Sequence, residues 1–433
     1  MSHPDVAFRN QIHFKRGFPF LERWLLRQIF KAIGPAQLGF AFKDGERMSP
    51  PNVSPVATIV IRDLRTLAGM MVDPEIFFGE AYADGRIEVQ GDLARAIQAV
   101  YESWPSGRAD KSLYQKLTSQ WADWRQANSP SGSRNNIHRH YDLGNDFYKL
   151  WLDQQMVYTC AYFPTPEATL EQAQEAKLDY ICRKLRLQPG ERVVEAGCGW
   201  GALALHMARN YGVSVKAFNI SHEQILHARR RAAEEGLSGK VEFVEDDCRN
   251  ISGQFDVFVS VGMLEHIGVA NYAGLGEVID RCIGDSGRGL LHFIGRSHKG
   301  VFSRWIRKRI FPGAYAPTLA EAMNVLQPHR YAVLDVENLR PHYARTLEHW
   351  LERFDKCSEQ VSSMYDPWFM RAWRLYLAGS IAAFRAGTLQ LFQISFAGSK
   401  SPYIPWTRAG LYTPAKRVTE DKTEDRTWMH ATS

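Results

Sequence analysis

The stretch EAGCGWGALA at 195–204 sets three glycines at two-residue intervals behind an apolar run that ends in a carboxylate. Gly197, Gly199 and Gly201 let the backbone pass close to a ligand and turn amide N–H groups into the crevice where a strand hands over to a helix. The spacing is G-x-G-x-G, whereas dinucleotide enzymes use G-x-G-x-x-G. Glu195 at the strand end repels phosphates and suits an ammonium. The loop therefore points to an amino acid–nucleoside ligand, S-adenosylmethionine, and to methyl transfer. Asn219 ends the next apolar run, FNISHEQ, where nucleotide-binding folds place a partner for ribose hydroxyls, and Asn219 and Gln224 can supply it. VEDDCRN ends the third run; Asp247 there can meet an adenine amino group or stand as a solvated loop acid. The fourth, DVFVSVGMLEHIG, runs into Glu265 and His266, and the fifth, LLHFIG, holds His292 among apolar neighbours. A lone histidine of this kind reads more simply as core. Two adjoining strand ends of this kind together favour a site, because α/β folds place function at strand carboxyl ends. Cys160, between Tyr158 and Tyr162, reads by itself as a small apolar thiol in an aromatic patch.

The elements that must position these residues are legible as periodicity. From about 170 the pattern alternates: a helix over 170–186, then strands ERVVEAG, SVKAFNI, VEFVED, FDVFVSVG and GLLHFIG with helical stretches ALALHMARNY and HEQILHARRRAAEE between the first three and a further helix before the last. Alternating strands and helices predict an α/β domain with a mostly parallel, doubly wound, Rossmann-like sheet. Before it, FLERWLLRQIFKAIG (20–34) is an amphipathic helix and VATIVIRD (56–63) a strand. Residues 76–101 read as helix, Gly-rich turn, strand and helix, giving a smaller α+β domain. Residues 105–136, rich in Ser, Pro, Gly and Asn, read as a linker with a short helix over 113–127, or equally as a dimer contact that leaves a homodimer open. The expected organisation is an N-terminal domain over 1–104, the linker over 105–136, the larger domain over 137–415 and a polar tail over 416–433.

An excess of 53 Lys+Arg over 47 Asp+Glu is too small to point to nucleic acid. The six cysteines show no metal-type spacing and read as reduced thiols, which fits a cytoplasmic protein. The first residues lack the apolar core of a signal peptide, and no apolar run approaches the roughly 20 residues of a spanning helix.

Taken in order, HYDLGNDFYKLWLDQQMVYTCAYF, EAGCGWG, ISHEQ, SVGMLEHIG, LLHFIG and FRAGTLQLFQISFA resemble the cyclopropane-fatty-acyl-phospholipid synthase family over about 140–397. FGEAYADGRIEVQGDL (78–93) resembles, more loosely, that family's N-terminal lipid-binding domain. The resemblance implies a class I methyltransferase fold and transfer of a methylene unit from S-adenosylmethionine to the cis double bond of a phospholipid acyl chain. It implies cofactor contacts at Tyr158 and Thr159, at the loop Val194, Glu195, Ala196, Gly197, Cys198, Gly199, Trp200, Gly201 and Ala202, at Asn219, Ser221 and Gln224, and at Asp247 and Cys248. It further implies a bicarbonate ion held by Cys160, Glu265, His292, the backbone of Ile294, and Tyr343.

The chemistry asks for such a site. An alkene is a weak nucleophile, so the methyl group must be held in line with water excluded. Attack leaves a cation that aromatic faces stabilise, and a base must then take a proton so that the ring closes. Bicarbonate has one O–H to give Glu265, while His292, Tyr343 and backbone amides donate to its other oxygens. Before Tyr343, where the family is aromatic-rich, this chain has ENLRPHY; Arg340, Pro341 and His342 there bear on the acyl pocket and hence on substrate and product. The alternatives are a fatty-acyl C-methyltransferase, which needs a way to quench the cation, and a small-molecule amine methyltransferase, which needs no such base. For docking at the inner face of the membrane, VFSRWIRKRIFPG (301–313) interleaves Arg304, Arg307, Lys308 and Arg309 with large apolar residues, and the 20–34 helix is a second candidate.

Overall fold

The structure, a computed structural model, describes residues 13–14, 20–34, 36–42, 47–49, 54–103, 143–300 and 303–412. The helix expected over 113–127 and the tail lie outside the described residues. The chain forms two compact units: 1–125 with 301–312 and 347–389, and 126–300 with 313–346 and 390–433.

The first unit holds a five-stranded sheet of β1 (His13–Phe14), β2 (Leu38–Phe42), β3 (Arg47–Ser49), β4 (Ala57–Ile61) and β5 (Ile87–Gly91), in the order β1-β3-β2-β4-β5. β4 reads ATIVI, with Ala57, Ile59 and Ile61 buried, as its β-branched content predicts. Helices Phe20–Ile33, Leu64–Val72, Pro74–Ala83 and Leu93–Ser103 accompany the sheet. Asp73 closes one helix and caps the next, accepting from Ile76 N at 3.3 Å, and Pro74 takes the first helical position, where its missing N–H costs nothing.

Two internal segments that the sequence reading puts in the larger domain pack here. Helix Pro367–Arg385 lies on Pro74–Ala83 and Leu93–Ser103. Its Arg371 donates to the carbonyls of Tyr82 (2.5 Å) and Ile87 (2.8 Å). Helix Arg304–Arg309 buries Trp305 over Gly79, where an added Cβ would lie 2.4 Å from the indole. Its Arg304 pairs with Asp73 (2.8 Å), Lys308 with Glu80 (3.1 Å) and Arg309 with Glu80 (2.8 Å). The stretch offered as a lipid-docking surface thus turns Trp305 inward and sets Arg304, Lys308 and Arg309 against carboxylates. A basic run in sequence carries no record of the acids that a fold brings opposite it.

The second unit is a seven-stranded sheet: β6 (Arg192–Ala196), β7 (Ser214–Asn219), β8 (Val241–Glu245), β9 (Val257–Val261), β10 (Arg288–Gly295), β11 (Ala332–Asn338) and β12 (Gln390–Ala397), in the order β11-β12-β10-β9-β6-β7-β8. Strands β6 to β10 are mutually parallel and coincide with the five read from sequence. β12 runs antiparallel between β10 and β11. Val193, Val194 and Ala196 are fully buried, with Leu178, Leu203 and Ile225 packed in one apolar cluster and Phe258, Tyr272 and Ile279 in another. Helices on both faces explain the continuous apolar strands. Strand order reverses at β6, flanked by β7 and β9, so a crevice opens at its carboxyl end.

Candidate active site

The loop after β6 forms because its glycines adopt conformations closed to other residues: φ is 86° at Gly197, 52° at Gly199 and 86° at Gly201. Gly197 N and Cys198 N donate to Phe218 O at 2.9 and 3.0 Å, which ties the loop to β7. A Cβ at Gly201 would meet Phe243 at 2.7 Å and Ala228 at 2.9 Å, while one at Gly199 would project into open space. The loop is one wall of a cavity that also includes Tyr158, Thr159, Glu195, Trp200, Ala202, Asn219, Gln224, Asp247 and Cys248. These are residues that the sequence nominated for the cofactor, gathered from the ends of β6, β7 and β8 and from the segment before helix Leu170–Leu185. Val194, Ala196, Gly201 and Ser221 stand behind that wall and hold it in place.

The polar atoms of the wall are already oriented. Asn219 Nδ2 donates to Gln224 Oε1 at 2.7 Å and to Gly199 O at 3.2 Å. That leaves Gln224 Nε2, buried and unpartnered, as a donor; Glu195 Oε2 is likewise a buried acceptor without a partner. Orphaned buried groups of this kind cost stability unless a ligand completes them. Lys177, which the sequence reading passed over, is buried in the same wall and donates to Thr159 Oγ1 at 3.0 Å. Burial pushes Glu195 up and Lys177 down from their ordinary values, and each one's charge opposes the shift of the other. Asp247 is committed locally: it accepts from Arg249 Nε (2.8 Å), Nη2 (2.7 Å) and the backbone N (2.9 Å). The Arg249 hydrogen bonds outweigh its burial and hold its carboxyl below the usual range.

Tyr158 and Thr159 are delivered by a tight turn. Met156 takes φ 60°, and the buried Asp153 carboxylate accepts from Gln155 N (3.0 Å) and Val157 N (2.8 Å) to keep it there. Tyr158 packs 5.4 Å from both Tyr148 and Trp151, and Trp200 lies 5.0 Å from Tyr148. Tyr158 and Trp200 bring this aromatic group to the cavity wall.

Of the second group of nominated residues, Glu265 follows β9 and His292 and Ile294 lie in β10, while Cys160 precedes helix Leu170–Leu185 and Tyr343 lies on helix Arg340–Lys356. Glu265 is buried; its Oε1 accepts from Ile294 N at 2.6 Å and its Oε2 has no partner. The Ile294 amide, which the resemblance assigns to the anion, is therefore engaged by Glu265. Burial raises Glu265 from 4.5 to about 7. His292 is buried in β10, where burial and then the charges of Lys177 and Lys184 hold it neutral. Cys160 is buried, its thiol pushed up by desolvation and donating to Ala161 O at 3.1 Å. Tyr343 lies half-buried on the first turn of helix Arg340–Lys356. Its neighbours join that turn to the Cys160 segment: Ala161 N donates to Thr346 Oγ1 and Phe163 N to His342 Nδ1, each at 3.0 Å. His342 also stacks on Tyr162 at 4.8 Å. Within the departure at Arg340, Pro341 and His342, it is His342 that anchors the segment carrying Cys160.

The family model described as mycolic acid cyclopropane synthetase matches residues 128–394. The chain belongs to this family. A second match, to a domain of unknown function, covers residues 25–112. A cyclopropane-fatty-acyl-phospholipid synthase of Escherichia coli is 42% identical over 259 residues, 60% of this chain and 66% of that protein. A probable fatty acid methyltransferase of Pseudomonas putida is 36% identical over 375 residues, 83% of this chain and 92% of that protein. Among solved structures, a mycolic acid cyclopropane synthase complexed with SAH and CTAB superposes with a TM-score of 0.59 at 30% identity, over 61% of this chain and 97% of that one. The cyclopropane synthetase family uses the class I, S-adenosylmethionine-dependent methyltransferase fold, and the seven-stranded sheet of the second unit is that fold.

Proposed function

We propose that the protein transfers a methylene group from S-adenosylmethionine to the cis double bond of unsaturated phospholipid acyl chains, forming cyclopropane rings, with bicarbonate held at Glu265 and His292. The observation that carries this reading is Glu265. A simple methyl transfer to an amine needs no buried carboxylate with a free oxygen at the strand end beside the cofactor cavity; a reaction passing through a carbocation needs a proton acceptor there. The E. coli relative's name supports the acceptor class.

The residues present fit the two small molecules. Glu195 Oε2 offers an acceptor to an ammonium, Gln224 Nε2 a donor to a ribose hydroxyl, and Gly199 leaves the space that a side chain would fill. S-adenosylmethionine supplies the electrophilic methyl group and bicarbonate a compact proton acceptor. Tyr158 and Trp200, the aromatic residues of the cavity wall, would be the rings available to a developing cation. Glu265 Oε2 would accept a hydrogen bond from the anion's single O–H, and His292 and Tyr343 would donate to its other oxygens. Cys160 and the Ile294 backbone complete the wall.

The deciding experiment incubates the protein with S-adenosylmethionine and mixed unsaturated phospholipids, then weighs and fragments the acyl esters. Gain of one CH₂ with loss of the double bond is the expected result. The same mass gain with the alkene retained, or with a saturated methyl branch, would establish instead the methyl-branching activity that the P. putida relative's name supports.

Access to acyl chains calls for a surface that meets lipid, at the inner face of the membrane, without insertion: no helix among the described residues is long and apolar enough to cross a membrane. With the cations of helix Arg304–Arg309 engaged, we assign docking to helix Phe20–Ile33. Its Leu25, Leu26, Ile29 and Phe30 are buried, while Phe20 and Trp24, one turn apart, are 87% and 48% exposed. Two exposed aromatics one turn apart on an amphipathic helix suit the headgroup boundary. Replacing Phe20 and Trp24 together by Ser should weaken binding to anionic vesicles by about 30-fold, at roughly 1 kcal/mol per lost ring contact. Lys308→Ala should leave pelleting unchanged. The opposite pattern would return docking to the basic helix.

A further inference from the structure

His292 does not stand alone in β10. In the antiparallel pairing of β10 with β12 it lies directly opposite Gln393, and in the pairing of β12 with β11 Gln393 lies opposite Glu337. Directly paired residues project from the same face of a sheet, so His292, Gln393 and Glu337 form one row across three strands. Helix Leu170–Leu185 brings Lys184 to that row: Nζ donates to Glu337 Oε2 at 2.5 Å and to Gln393 Oε1 at 2.7 Å, and sits 4.6 Å from the centre of the Tyr180 ring. Gln393 Nε2 stands 3.0 Å from His292 Nδ1. Gln393 is fully buried and the Lys184 side chain is 1% exposed.

The chemistry of the row fixes the direction of every hydrogen bond in it. An ammonium can only donate. Salt-bridged to Glu337, Lys184 is charged, so the Gln393 atom facing it must be the carbonyl oxygen. The other end of the amide is then NH₂, which can only donate, and it faces Nδ1. A ring whose Nδ1 accepts carries its single proton on Nε2, and burial opposes the doubly protonated form.

We propose that Gln393, oriented by Lys184, is a positioning residue that fixes His292 as the Nε2–H tautomer, so that His292 serves the site as a hydrogen-bond donor and not as its base. This rests on the reading that His292 faces an anion. It deepens that reading: with Nδ1 occupied and Nε2 protonated, the imidazole has no free lone pair, and the proton released on ring closure must go to a group other than His292. Aromatic and aliphatic surroundings alone would leave the tautomer undetermined. The charged pair Lys184–Glu337, set two residues back from the chemistry, supplies the choice.

The test is ¹⁵N NMR of histidine-labelled full-length protein, with the His292 resonances identified by their loss in His292→Ala. Wild type is expected to show an unprotonated Nδ1 and a protonated Nε2, persisting below the ordinary histidine value of 6.5. In Gln393→Glu a carboxylate, able only to accept, faces the ring and should exchange the two. Turnover should fall by about 100-fold, as when one donor to a developing or bound anion is lost, with S-adenosylmethionine affinity by calorimetry unchanged. Lys184→Met, which frees the Gln393 amide to turn over, should give a mixture of tautomers and covers the case in which Gln393→Glu does not fold. Wild-type protein protonated at Nδ1, or a single unchanged tautomer in Lys184→Met, would overturn the assignment. Exchanged tautomers in Gln393→Glu with turnover retained would overturn the positioning role. Full turnover in His292→Ala would instead sink the anion-site reading and leave the tautomer assignment standing.

Discussion

Glu265→Gln is expected to lower turnover by about 10²–10⁴-fold, the range for losing general-base catalysis, because Glu265 would hold the bicarbonate that takes the proton, while making the protein more stable above pH 7. The activity side follows from geometry. Gln keeps an oxygen for the Ile294 amide at 2.6 Å but replaces the free acceptor Oε2 with a donor, which faces a bound O–H with the wrong polarity. Cofactor affinity should stay near wild type because Glu265 lies outside the wall of the cofactor cavity. A collapse of S-adenosylmethionine affinity would place Glu265 with the cofactor and remove the anion site.

The stability side follows from linkage. Burial raises the Glu265 carboxyl from 4.5 to about 7. A carboxyl with a raised folded-state value favours folding most when protonated: that contribution is complete below pH 4.5 and is lost as pH rises through 7. At higher pH the buried carboxylate costs about 3 kcal/mol. Gln removes this cost but leaves an amide N–H unpaired, at about 1–3 kcal/mol. The net gain is therefore of order 1 kcal/mol above pH 7, reversing to a loss below pH 4.5. Thermal melts of both proteins across this range check it; a mutant less stable than wild type at pH 8 would show that another group satisfies Oε2. The same protonation should give turnover an acid limb near pH 7, absent from whatever activity Glu265→Gln retains.

Gly201→Ala is expected to cost about 2–5 kcal/mol and to lower the melting temperature by roughly 4–20 °C. Two terms add. At φ 86° a Cβ costs about 1–2 kcal/mol, and here it would lie 2.7 Å from the Phe243 ring and 2.9 Å from Ala228, so overpacking adds about 1–3 kcal/mol. Phe243 and Ala228 are buried and have little room to yield. Gly199→Ala is the informative contrast. Its φ of 52° is milder and its Cβ meets nothing, so stability should fall by only about 1 kcal/mol. Its methyl would enter space bounded by the cofactor wall, and S-adenosylmethionine affinity should drop by more than tenfold. Equal effects of the two substitutions on melting would mean that the loop, and not its packing against β8, sets the cost at Gly201.

Much of this protein is written in short-range pattern. The five parallel strands β6 to β10, the glycine loop and the strand-end positions of Glu195, Asn219, Asp247 and Glu265 are legible because parallel strands buried on both faces read as continuous apolar runs and because closely spaced glycines mark a turn that needs positive φ. The family followed from motif order. Tertiary structure alone decided the rest. β11 and β12 lack a local signature strong enough to separate them from buried helix, and with them went Gln393 and Glu337. Lys177 and Lys184 look like solvated helix positions until the helix packs on the sheet and buries both. Arg304, Lys308 and Arg309 look like a lipid-facing stripe until Asp73 and Glu80 arrive from more than two hundred residues away. Sequence records which residues can do chemistry, since that is a property of the residue and its near neighbours. What a charge faces, whether a carboxylate keeps a free oxygen and which nitrogen of His292 holds the proton depend on partners distant in the chain, and only the folded sheet brings those together.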